Sequence, residues 1–463
     1  MKLFGSKRSG ARLAKNRQPY CDTAPAASDG SVAVEAASQK KRNLFKTVSI
    51  LLAVVFCLEL CYFFVIFTDN KFVSKWRSIY IETAMDTLSH KWLANLIIPY
   101  DVIAEVVDAR NQAMLEQVGQ ESQWGKYDPA EQTPTDPEPV PDQPTEVLPE
   151  DDTSDVGITV EEKVDPEKVA EETFYELFHE IDQPSMEAYL KAHPEALENG
   201  WANLVIDEST VDGKGTDIQT KLGEQVLAID VPNQILIVRV KGNGYQGALA
   251  IAKDPARLSL RPASTIWKVG EPVGTIAAAN NGVLGMTGSA FPDFEGRGNG
   301  GEISGYAMYN GRGDGYGHMG PGRKRIELHE DNLFYIKDAP SPTGEGTTDA
   351  VEFGPALVID GKIVVDANCG YTGIQPRAVI GQSDKYEILM LVIEGRLPPR
   401  SLGTDVIVCA NILKDHGAMQ AMNLDGGTSA LLWYNGHEVT KCSNTQTPQG
   451  RNMPTAWVYE RVN

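Results

Sequence analysis

Cysteine is scarce, with six in 463 residues. No two are spaced Cys-x-x-Cys and none joins a Cys/His pattern suited to zinc, so neither a disulfide framework nor a structural zinc site is indicated. Cys21 lies in the N-terminal tail, Cys57 and Cys61 in an apolar run, and Cys369, Cys409 and Cys442 in the C-terminal half, where free buried thiols are expected. No Gly-Lys-Ser/Thr occurs, which argues against a nucleotide phosphate loop. A net basic balance is also missing beyond the first 46 residues. That tail holds ten Lys/Arg against three Asp/Glu, a net of +7, so the chain total of −21 leaves −28 on the rest. A folded part without a basic field cannot collect phosphates of nucleic acid, and no nucleic-acid partner is expected.

Long apolar runs are absent except for one. Residues 48–67 are apolar apart from Ser49, Glu59 and the polar tips of Cys and Tyr. Twenty residues at 1.5 Å each span about 30 Å, one hydrocarbon core. No small-residue cleavage pattern comes after it, so an uncleaved signal-anchor is expected rather than a signal peptide. Lys40, Lys41, Arg42 and Lys46 precede the run with the basic tail (1–47) behind them, and Lys71, Lys75 and Arg77 lie beyond it. The larger cluster stays inside, giving a single-pass membrane protein with a cytoplasmic N-terminus and an extracellular C-terminal part. Glu59 near the bilayer centre points to a transmembrane partner, or to a protonated carboxyl tolerated in a very apolar helix. Residues 68–126 carry Trp76, Tyr80, Trp92 and Tyr100 on a helical period broken at Pro99. They read as a juxtamembrane helical region with headgroup-level aromatics, or as a packed hairpin or stalk.

Residues 127–166 form an acidic, Pro-rich linker. From 128 to 166 there are eight prolines, thirteen acidic residues and one lysine, too little apolar area to offset chain entropy, so a disordered spacer is expected. Such a spacer would hold the C-terminal part away from a membrane or wall surface. Asp165-Pro166-Glu167 then reads as a helix start and opens a small helical segment, 167–214.

From about 215 to 463 strands dominate. The segments 225–230 and 234–240 make a hairpin candidate, as do 356–359 and 362–365 around Asp360-Gly361, a type I′ turn pair. Residues 387–393 read as a buried strand, 404–416 as a helix capped by Gly417, and 419–424 and 429–434 as strands around Asp425-Gly426-Gly427. The stretch 282–322 is glycine-rich and reads as an irregular site rim. An Arg-Gly-Asp tripeptide at 312–314 is too short to signify adhesion, and His318 is a candidate general acid or a structural histidine. The fold class expected is α+β, a mixed or antiparallel sheet domain with few helices, preceded by the transmembrane helix and the acidic linker.

The densest chemistry comes late: Pro376-Arg377-Ala378-Val379-Ile380-Gly381, then Glu394-Gly395-Arg396, Ser401-Leu402-Gly403, Asn423-Leu424-Asp425-Gly426-Gly427-Thr428-Ser429, and Gly450-Arg451-Asn452. In order and spacing these segments resemble the phosphodiester glycosidase family over about 240 residues. The resemblance implies hydrolysis of a sugar-1-phosphodiester, with a cell-envelope glycan or phosphodiester-linked exopolysaccharide as partner and substrate. A non-catalytic glycan-binding or assembly protein on the same fold is the alternative. One departure stands out. Gly285-Met286-Thr287-Gly288-Ser289-Ala290-Phe291-Pro292-Asp293 aligns with a family segment, but Thr287 takes the place of an asparagine that many bacterial members carry. Asn281, just upstream, is a candidate stand-in.

Such cleavage passes through an oxocarbenium-like state and expels a phosphate monoester, whose charge arginine is suited to hold. Arg377, Arg396 and Arg451 are therefore the candidate phosphate ligands, against surface ion pairs as the alternative. Asp425, at a strand end in a Gly-Gly turn, is the candidate nucleophile, base or cation stabiliser; a turn-forming Asp bonded to its own backbone is the alternative. Glu394 is the second catalytic carboxylate candidate. Ser401 and Thr428 are candidate donors to phosphate, and Asp293 is a candidate for sugar hydroxyls or a cation. No cofactor is required, though a calcium ion held by loop carboxylates is possible chemistry here.

Overall fold

The structure is a computed structural model, and it describes residues 30–85, 87, 91–124, 165–315, 317–366 and 371–462. The tail before residue 30 and the linker from 125 to 164 lie outside the described residues. Two units emerge: residues 1–68, described here by a single helix, and a compact body of residues 69–463. The helix runs Gly30–Phe67, and its Ser38–Phe67 portion is long and apolar enough to cross a membrane.

The body is α+β, and every strand pairing among the described residues is antiparallel. A nine-stranded sheet runs in the spatial order Val205–Asp207, Gln225–Asp230, Ile235–Gly242, Tyr245–Ala252, Ile388–Ile393, Arg377–Ser383, Ala418–Asn423, Ala356–Ile359 and Lys362–Ile363. Its central strands are apolar without alternation because both faces are covered. Along Ile388–Ile393, residues 388, 390 and 392 join one core cluster, and 389, 391 and 393 join the other. Two five-stranded sheets supply the first cluster. Helices Pro166–Leu177, Gln183–Ala192 and Val406–Asp415 pack on the second. Cys409 and Cys442 are buried free thiols in this body.

The segment 167–214 is part of this body. Phe174, Phe178, Ile181 and Met186 are buried in the second cluster, and Val205–Asp207 forms the sheet's edge. The stretch 282–322 is also more regular than its glycine content suggests. It holds the strand Gly282–Thr287 and a hairpin of Tyr306–Tyr309 with Arg312–Gly315. Asn310-Gly311, both with positive φ (53° and 69°), make that turn, and the Asn-Gly pair was its legible signal. Asp314 of the Arg-Gly-Asp tripeptide accepts hydrogen bonds from Trp267 Nε1 and Tyr309 Oη inside this region.

Residues 69–124 belong to the same body. Helices Lys71–Met85, Lys91–Ile97 and Tyr100–Glu116 form an arm against the domain. Glu82, 4% exposed, accepts from Thr372 Oγ1 (3.0 Å) and Gly373 N (2.8 Å). Gln117 bonds both backbone groups of Ala356 and the carbonyl of Val364. Lys324, wholly buried, donates to the carbonyls of Gln117 and Gln120 and to Asp338. Of the two sequence readings of this region, packing describes the contacts: Ile81, Ala94, Val102, Ile103 and Met114 are buried.

Candidate active site

Register places the key pair. Strand Arg377–Ser383 pairs with Ala418–Asn423 so that Val379 faces Asn423, and two residues further the ladder sets Arg377 beside Asp425. The pairing continues into the turn through Leu424 N to Ala378 O (2.8 Å) and Gly427 N to Pro376 O (3.1 Å). The turn needs its glycines: a Cβ on Gly426 would lie 2.7 Å from Pro376 O, and Gly427 has φ +61°.

A cavity of about 780 Å³ opens over this turn. Arg377, Arg396, Arg451, Asp425, Thr428 and Asp293 all line it. Arg377 is 4% exposed; its Nε donates to Thr404 O (3.1 Å) and its Nη2 to Gly373 O (2.7 Å), leaving Nη1 as the nitrogen without such a bond among the described residues. Arg396, at φ +58°, donates from Nη2 to Gln375 Oε1 (3.2 Å), and its guanidinium flanks Gly427. Arg451 pairs with Asp293, donates to Gly298 O (3.0 Å) and stacks 4.5 Å from the Phe291 ring centre.

The two carboxyls are driven apart. Burial pushes Asp425 up to about 6. A hydrogen bond from Ser429 and the Arg451 charge oppose the rise, and the Asp293 charge adds to it. Burial would raise Asp293 as well, but the hydrogen bonds from Arg451 and the Gly298 N–H outweigh it and hold that carboxyl below its usual value. Pairs with separated pKa values are a mark of acid–base sites.

Three candidate residues lie elsewhere. Glu394 is not on the cavity wall. It is 3% exposed and takes Arg400 Nε (2.5 Å) and Nη2 (2.9 Å), Gln246 Nε2 (3.2 Å) and Lys441 N (2.9 Å), an ion-pair hub behind the strand end. Ser401 is buried, donating to Glu394 O and accepting from Gln246 N. Asn281 takes the positive φ of the turn after helix Val273–Ala279, and its carbonyl accepts from Arg461 N. Thr287 is wholly buried; its Oγ1 donates to Ser429 O (2.5 Å) and accepts from Leu431 N (3.2 Å), supporting the turn from beneath. His318 pairs with the buried Glu352 (3.1 Å).

Several wall residues are assigned no role by the sequence, Asn423 among them although it opens the Asn423–Ser429 segment. Asn423 faces the cavity with Oδ1 buried and without a hydrogen-bond partner, while its Nδ2 donates to Gly354 O. Arg323 and, from the arm, Thr87 and Arg110 complete the rim. A group that could hold a metal ion, His179, Glu180 and Glu387, lies away from this cavity, and Lys253 Nζ already sits 2.6 and 2.7 Å from its two carboxylates.

Residues 274–460 match the model of the phosphodiester glycosidase family. That part of the chain is similar to the phosphodiester glycosidases. Solved structures with similarity include the catalytic domain of zebrafish N-acetylglucosamine-1-phosphodiester alpha-N-acetylglucosaminidase, auto-inhibited by its pro-peptide. It is 17% identical over 49% of this chain and 82% of that one, with a TM-score of 0.41. A hypothetical protein from Synechocystis is 16% identical over 52% of this chain and 65% of that one, with a TM-score of 0.34. No curated protein matches the chain. The strands before residue 274 and the arm lie outside the matched phosphodiester glycosidase segment, yet the arm contributes Thr87 and Arg110 to the cavity built on it.

Proposed function

We propose that this domain hydrolyses a sugar-1-phosphodiester outside the cell, in a cell-envelope glycopolymer or phosphodiester-linked exopolysaccharide, while the helix Gly30–Phe67 holds it to the membrane. The observation that carries the reading is Asp425, raised to about 6 in an arginine-lined cavity beside the ionised Asp293–Arg451 pair. A phosphate monoester leaves readily once its charge is held, so a strong acid is not required. Water adds at the anomeric carbon and gives its proton to the Asp425 carboxylate. The bond from that carbon to the phosphate oxygen breaks, and its electron pair departs with the phosphate, held by Arg377 and Arg396. The outward orientation is supported by the basic cluster Lys40, Lys41, Arg42 and Lys46 ahead of the helix.

Thr287 favours a second reading, a glycan-binding protein on the same fold, since its hydroxyl is spent on the backbone of the Ser429 turn. The two separate on the detergent-solubilised full chain incubated with UDP-N-acetylglucosamine. Release of free reducing sugar, abolished by Asp425→Asn, supports hydrolysis. Retained binding of wall polymer with no sugar released from any diester sinks it in favour of binding.

A further inference from the structure

Thr287 is not on the cavity wall, yet it is tied to the residue that holds Asp425. It ends the strand Gly282–Thr287, one step past the pair Met286–Leu432, and so meets the chain just after the Asp425 turn. The side chain is wholly buried. Its Oγ1 donates to Ser429 O (2.5 Å) and accepts from Leu431 N (3.2 Å), while its backbone N donates to Leu431 O (3.4 Å). One hydroxyl thus satisfies a buried carbonyl and a buried N–H on either side of Ala430. An apolar side chain of the same shape would strand both, and the turn would have to shift to pair them again.

Ser429 is the residue fixed in this way. Its N donates to Gly426 O (3.1 Å) and its carbonyl is taken by Thr287, so side-chain rotation is what remains to aim its hydroxyl. That hydroxyl donates to the Asp425 carboxyl. Burial pushes this carboxyl up to about 6, and a donor on the carboxylate opposes the rise by favouring the charged form. The charged groups facing the same space are Arg377, Arg396, Arg451 and Asp293, with Arg110 and Arg323 on the rim. None of these six is a hydrogen-bond partner of the Thr287 hydroxyl among the described residues. The hydrogen-bonded route from Thr287 to Asp425 passes through Ser429.

We propose that Thr287 is a positioning residue for the candidate base: its hydroxyl fixes the backbone of Ser429, and Ser429 holds the Asp425 carboxylate ready to take a proton. The hydroxyl spent on the backbone then serves hydrolysis instead of counting against it. The role of Asp425 as base rests on the hydrolytic reading, and the chain of bonds that reaches it rests on geometry alone.

The test follows kcat/KM against pH for full-length protein in detergent with UDP-N-acetylglucosamine. Thr287→Val keeps the shape and removes the hydroxyl. The midpoint of the acid limb should move up by about one pH unit, the worth of a hydrogen bond to a charged group. The rate at pH 5 then falls about tenfold, while the plateau above pH 8 stays within about threefold of wild type. Ser429→Ala should move the midpoint likewise, and Thr287→Val added to Ser429→Ala should move it no further, because both act through one bond. Thr287→Ser, which restores the hydroxyl, should return the midpoint to its wild-type place. A fall by the same factor at every pH, or shifts that add in the double variant, overturns the proposal. Thr287→Cys, with a weak donor in the same place, takes over the test if Thr287→Val does not fold. If wild type cleaves no diester, hydrolysis fails and the chain of bonds is read from stability instead. Asp425→Asn should then raise the melting temperature at pH 7.5 by more in the Thr287→Val background than in wild type, since a higher carboxyl pKa leaves more to relieve on neutralisation. Equal gains in the two backgrounds overturn the positioning role.

Discussion

At the residue scale, Asp425 costs the fold stability in order to be useful. Its carboxyl is raised from 3.8 to about 6, so the folded protein favours the protonated form. The linked stability is fully present below pH 4 and is lost as pH rises through 6. Asp425→Asn removes the charge and keeps an oxygen for Ser429. The variant should therefore melt higher than wild type at pH 7.5, by about 1–2 kcal/mol after allowing for the residue's partial exposure, and gain nothing at pH 4. A gain that persists at pH 4 would show the ordinary acid range for this carboxyl. Catalysis should run the other way, with kcat/KM climbing through pH 6 as the base ionises. Glu394 makes the contrast. Sequence placed it at a strand end with the same logic as Asp425, but pattern alone does not reveal which way a side chain turns after the last ladder pair. Here it turns to Arg400 and the backbone of Lys441. Glu394→Gln should lower stability by about 3 kcal/mol by stranding a partly buried arginine, while kcat measured well below the melting point stays within about threefold of wild type. A loss of a thousandfold in kcat without destabilisation would return Glu394 to the catalytic set.

At the element scale, local signals were legible wherever chemistry is local. Asp360-Gly361 and Asn435-Gly436 adopt positive φ in hairpin turns, Asp165 and Asp405 cap their helices, and Gly417 closes the helix Val406–Asp415 at φ +75°. What sequence could not give was which element meets which at long range. The arm shows why. Its aliphatic and aromatic residues share one helical period, and both suit a membrane surface. In the fold they part company: Ile81, Val102 and Ile103 go inward, while Trp76, Trp92 and Tyr100 stay 56%, 56% and 83% exposed. An exposed aromatic set that follows in sequence a helix long and apolar enough to cross a membrane suits the headgroup layer. With the chain in nanodiscs containing brominated lipid, Trp76 and Trp92 should be quenched, and the double Phe variant should lose that quenching. Equal quenching in the variant would place those rings away from lipid.

At the scale of the whole molecule, the acidic linker cannot do what its composition suggests. A Pro-rich spacer between a membrane helix and a domain sets their separation only if the domain begins after it. Here the body begins before it. Ser122 N binds Ile336 O at 2.9 Å, Trp124 Nε1 binds Phe334 O, and Gln123 N binds Asp360, all on the near side of the linker. On its far side, Asp165 caps the helix Pro166–Leu177, which packs into the sheet through Phe174. Both ends of the linker are thus tied to one unit, and only Thr68, Asp69 and Asn70 stand between the apolar helix and the arm. The chain therefore belongs to one unit both before residue 125 and after residue 164, and a cut between them separates two parts of one body. A protease site engineered between residues 130 and 160, once cleaved, should leave residues 165–463 bound to the membrane fraction through the arm. High salt should not release them, because the buried Lys324, Gln117 and Glu82 contacts are shielded from screening. Release of the C-terminal piece on cleavage would restore the spacer reading and detach Arg110 from the site.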